Sequence, residues 1–96
     1  MTQEEKLLIL KKDLQMTTKA NDDLLEALLK LADEEIKGEG IHLIKDDTRS
    51  DMAVVQYAAY LFRKRGAPET AMPRYLRWQL NNMKFSRKYG GTKSDV

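Results

Sequence analysis

Apolar positions crowd most densely between Met52 and Phe62, where Gln56 is the one strongly polar residue. The run is too long for an ordinary strand and too short to cross a bilayer as a helix. Its flanks carry the chemistry of helix ends. Ser50 or Thr48 offers a hydroxyl to the first free backbone N–H groups, and Asp51 puts negative charge in the first turn. Arg63, Lys64 and Arg65 occupy the last turn, where cations suit the helix dipole, and Gly66 suits a left-handed stop. On a helical wheel, Met52, Val54, Val55, Tyr57, Ala58, Leu61 and Phe62 spread over about two thirds of the circumference. Gln56, Ala53, Ala59, Tyr60 and Arg63 share the thin remaining side. A helix so nearly apolar all round is a central one, at residues 50–65, with other helices packed on several of its faces.

The rest of the chain supplies those helices. Residues 2–15 open with a T-x-x-E capping box, Thr2 with Glu5, and carry Leu7, Leu10 and Leu14 as a stripe beside Leu8 and Ile9. Residues 16–20 have no period and read as a connection. Asn21 is a good N-cap for a second helix, and Asp22 and Asp23 follow in its first turn. Leu24, Leu25, Leu28, Leu29, Ala32 and Ile36 form its apolar band, broadened by Leu31. Gly38 and Gly40 end it. Ile41 to Ile44 reads as either an extended crossing or a one-turn helix, with the extended form preferred, and Lys45 to Asp47 as a turn into the central helix. After a loop at 67–71, Pro73 suits the first turn of a fourth helix. Tyr75, Leu76, Trp78, Leu80 and Met83 are its expected apolar contacts, with Arg74, Arg77 and Lys84 projecting outward. The predicted fold is all-α: a small bundle of about four helices around the central one, formed by residues 1–85. Residues 86–96 hold two consecutive glycines and no apolar stripe, so they are predicted to be a flexible, disordered basic tail.

Composition changes this picture little. An apolar share of 42% and a charged share of 33% fit one soluble globular domain with a modest core. No cysteine is present, so neither disulfide nor thiolate chemistry is available. Nothing at the N-terminus resembles a signal peptide, and no membrane association is expected. Charge is more informative. Residues 1–48 carry seven lysines against twelve carboxylates, a net −5, and residues 49–96 carry ten basic groups against three, a net +7. Such a molecule has an acidic and a basic half, suited to copies meeting face to face or to a basic surface on nucleic acid.

Catalytic patterns are weak. His42 is the single histidine and sits in an apolar run, which favours a packed or half-exposed structural role. Asp46, Thr48 and Ser50 have the spacing that opens a calcium loop. Asp51 replaces the required glycine, however, and Tyr57 replaces the bidentate glutamate. Gly38 and Gly40 do not extend to a phosphate-binding fingerprint, because Leu43 fills the third glycine position. No His, Cys or Lys is spaced to activate Ser50, Ser86 or Ser94. The chain reads as a non-enzyme with no cofactor or metal site. Residues 72–89 are instead dense in Trp, Tyr, Met and Arg, the types that protein interfaces concentrate. Arg74, Tyr75, Arg77, Trp78, Arg87, Lys88 and Tyr89 are therefore the candidate interface residues.

The order of these elements resembles the phage head–tail connector, or head-completion adaptor, family. The likeness rests on the acidic, leucine-rich ANDDLLEALLKLADEEI, the alanine- and aromatic-bearing MAVVQYAAYLFRKRG, and the Pro-initiated MPRYLRWQL, and it covers residues 3–85. The resemblance implies a ring, typically a dodecamer, beneath the portal protein at the head–tail junction of the virion. It also implies assembly in the host bacterial cytoplasm and a DNA channel read without sequence specificity. The ring would be a platform for the next head-completion or tail protein. The alternative class is a small helical DNA-binding regulator using the basic C-terminal half.

Overall fold

The computed structural model describes residues 1–86 as four helices with no strand among them: α1 Gln3–Asp13, α2 Asp22–Gly38, α3 Thr48–Gly66 and α4 Arg74–Lys84. The all-α bundle expected from the sequence is the fold. The expected tail lies outside the described residues, apart from Ser86, which is half-buried with its N–H on the Met83 carbonyl.

Helix α1 begins as its capping box requires. The Thr2 hydroxyl accepts from the Glu5 N–H at 3.1 Å, and the Glu5 carboxylate accepts from the Thr2 N–H at 2.8 Å. It ends two residues short of the expected Gln15. Gln15 itself takes the left-handed conformation, φ 59, and the Met16 N–H reaches back to the Lys11 carbonyl at 2.8 Å. That is the stop glycine usually provides, made here by glutamine.

Helix α2 buries Leu25, Leu28, Leu29, Ala32 and Ile36. Asn21 stands at its N-cap position, but the side chain makes no capping hydrogen bond. Leu31 departs from its expected place in the band. It is 41% exposed, because it falls well round the helix from the Leu25–Leu29–Ile36 stripe. Gly38 ends the helix, and the left-handed residue of this turn is Gly40, φ 90.

The crossing at 41–44 is irregular rather than a strand. Ile41 is buried in it and His42 is exposed, so the histidine has no packed role.

Helix α3 is central, in contact with each of the other three. Its start differs from the sequence expectation. The cap is Asp47, whose carboxylate accepts from the Ser50 N–H at 3.0 Å. The Ser50 hydroxyl is left to act elsewhere. Buried in the fold, it accepts from the Ile44 N–H at 3.0 Å and ties the crossing to the helix. Gly66 stays helical, and the chain leaves through Ala67. The thin side of α3 is also covered. Ala53 and Ala59 are fully buried with Ala58, since a methyl side chain leaves room for a neighbouring helix to approach. The apolar surface of α3 is thus larger than its large residues alone suggest. Leu76, Leu80 and Met83 bury α4, which packs mainly on α3.

Candidate assembly interface

Helix α4 follows Pro73, whose ring fixes the backbone at φ −56 at the N-cap position. Its sequence from Arg74 to Lys84 contains no acidic residue. Leu76, Leu80 and Met83 recur at helical spacing and turn inward. The opposite side is aromatic and in water: Tyr75 is 62% exposed, Trp78 64% and Phe85, just past the helix, 75%. Tyr75 and Trp78 stack, with ring centroids 6.3 Å apart and planes 30° apart. Arg74 and Trp78 are one turn apart, so they share the outer face. The Lys84 ammonium lies 5.8 Å from the Phe85 ring centroid, a cation–π contact at the C-terminal end.

Tyr75 and Trp78 were expected among the core contacts of α4, and they are not there. Leu76, Leu80 and Met83 fill the strip facing α3, and the two rings fall outside it. Arg77 was expected to project outward. It instead reaches the end of α2, where its guanidinium donates to the Glu39 carboxylate at 2.8 Å. Arg63 likewise donates to Asp13 at 3.2 Å, from the end of α3 to the end of α1. Two basic residues of the positive half are therefore paired with the negative half inside one chain. Of the expected interface residues, Arg74, Tyr75 and Trp78 share one exposed face and Arg77 flanks it. Arg87, Lys88 and Tyr89 lie outside the described residues. Phe85, an aromatic of the same basic stretch that was not among the expected interface residues, joins the exposed rings at the end of the helix.

Beside the aromatic pair a groove of about 440 Å³ runs between α4 and the start of α3, bordered by Arg49, Gln79, Asn82 and Met83. The Gln79 carboxamide oxygen is buried there without a hydrogen-bond partner.

Another cleft, of about 280 Å³, lies where Asp46 and Asp51 meet the chain's first residue. The Met1 ammonium donates to Asp51 at 2.9 Å and lies 3.5 Å from Asp46. The hydrogen bond to Asp51 raises the pKa of that ammonium above its ordinary 8.0, against a smaller opposing effect of desolvation. Asp51 and Ser50, two positions of the superficial calcium pattern, are thus engaged in holding the fold. Among the described residues no three His, Cys, Asp or Glu side chains converge to hold a metal ion. No helix among them is long and apolar enough to cross a membrane.

Comparison with protein-family models, with curated proteins and with solved structures finds no match to this chain.

Proposed function

We propose that this chain is an assembly subunit of a phage head–tail connector. In this reading it forms a ring beneath the portal protein, extends the DNA channel and presents a platform to the next head-completion or tail protein. The observation that carries the reading is the outer face of α4. Two aromatic rings on a helix already anchored by Leu76, Leu80 and Met83, and a third just past its end, stand in water, so the domain does not need them for its own core. Exposed aromatic residues on a rigid element, with an arginine beside them, have the make-up of an interface centre. The resemblance of residues 3–85 to the connector family supplies the kind of assembly. The channel would pass DNA without holding it tightly, since the pairing of Arg63 with Asp13 and of Arg77 with Glu39 lowers the charge available to phosphates.

The test is co-sedimentation with phage heads. The chain should bind heads that carry the portal and ignore shells assembled without it, and Tyr75→Ala with Trp78→Ala should weaken that binding. A parallel salt titration against DNA duplexes of different sequence should show no sequence preference. Sequence-dependent affinity, together with indifference to the portal, would replace the connector by the regulator.

A further inference from the structure

Besides the aromatic face of α4, the described chain exposes two large aliphatic side chains, Leu8 at 55% and Leu31 at 41%. Their surroundings differ. Leu8 has Glu4 one turn before it and Lys12 one turn after, so its patch is of mixed sign. Leu31 has exposed Ala27 one turn before it and exposed Glu34 and Glu35 one turn after. Neither of those carboxylates, nor Arg74, is in a salt bridge among the described residues. The chain therefore carries two unlike patches on different helices. One is aromatic and basic, on a helix with no acid; the other is aliphatic and acidic. Their spacing corresponds as well. Arg74 precedes Trp78 by four residues, and Leu31 precedes Glu35 by four, so each pair lies one helical turn apart.

We infer that the aromatic face of α4 docks on the Leu31 patch of α2 in a second copy of this chain. The two helices cross in opposite directions, with Leu31 against Trp78 and Glu35 opposite Arg74. Because the two patches are not the same, the contact is heterologous: each copy offers one surface to each neighbour. Apolar burial supplies adhesion, and the opposed charges select the direction and reject an α4-on-α4 pairing, where arginine would meet arginine. The inference deepens the connector reading by naming the surfaces between subunits, and it rests on that reading only for the closure of the ring.

The absence of cysteine gives a clean test in the isolated chain, with no portal present. Ala27→Cys and Asn82→Cys variants, at exposed positions one turn before Leu31 and one turn after Trp78 that the opposed crossing sets together while keeping both apolar side chains, are mixed and mildly oxidised, and the dimers are weighed intact. Their different masses distinguish the three possible pairs. The expected result is a strong excess of the mixed dimer over both like pairs, and over mixtures in which either variant meets the exposed control Thr17→Cys. Arg74→Glu on the Asn82→Cys chain should abolish that excess, and Glu35→Arg on the Ala27→Cys chain should restore it. Statistical pairing, or a predominance of the Asn82→Cys like pair, would overturn the inference. Failure here with normal docking to portal-bearing heads removes these surfaces and leaves the connector reading standing. A mixed dimer without docking does the reverse.

Discussion

Single residues of α4 divide cleanly between holding the fold and facing outward. Leu80 is fully buried on α3, whereas Trp78, two residues before it, is mostly in water. Leu80→Ala should cost about 2–5 kcal/mol, since it removes buried methyl groups and leaves a cavity. Trp78→Ala should change stability by no more than about 0.5 kcal/mol, despite removing a far larger side chain. Chemical denaturation of the two variants checks the pair, and a large loss at Trp78 would place that ring in the core. Titration at the Met1 ammonium gives a second residue-level prediction. Its pKa is raised in the folded chain, so the native state binds the proton more tightly than the unfolded state does. That stabilisation is complete below the unfolded value of 8.0 and is lost as pH rises through the folded value. Tyr57 acts in the same direction at higher pH, because desolvation raises its phenol pKa above 10.0 and the unfolded state ionises first. Melting temperature should therefore fall from pH 8 upward. With Asp51→Asn, the part of that fall that sets in first above pH 8 should shrink.

Element ends show which parts of the fold were legible in the sequence. The α1 capping box was readable because its two partners lie three residues apart and satisfy each other. The cap of α3 was misread, since Asp47, Thr48 and Ser50 are all competent caps and only the path of the preceding loop selects among them. Once Asp47 caps the helix, Ser50 is free to accept from Ile44. Asp47→Ala should accordingly cost about 0.5–2 kcal/mol. Asn21→Ala at the start of α2 should cost little, because Asn21 makes no capping bond. Equal losses in the two variants would mean that the caps are not as described. The four helices and their apolar stripes were legible because period 3.6 is a local property. The side of α3 closed by Ala53 and Ala59 was not, because alanine marks close approach only when the neighbouring helix is known. The candidate site was half legible. Residue type singled out Arg74, Tyr75 and Trp78, but whether an aromatic at helical spacing faces core or solvent depends on which strip α3 covers. The internal partner of Arg77 lay 38 residues away, beyond any local pattern.

For the whole molecule, the charge division read from the sequence is partly neutralised within the chain, by Arg63 with Asp13 and Arg77 with Glu39. What remains for a neighbour is more local: an aromatic face beside Arg74 on one helix, and a leucine among carboxylates on another. A domain of this size reaches only about 5–15 kcal/mol of stability, so neighbours that bury these patches would add to it by mass action. On the connector account, the chain completes its surface in an assembly rather than acting on a substrate. Native mass spectrometry of the chain over a concentration series, with and without isolated portal rings, tests that account most directly. The account predicts a closed ring of the chain bound to each portal ring, lost when Tyr75 and Trp78 are both replaced by alanine. A chain that never leaves the unbound state at any concentration of portal would contradict it.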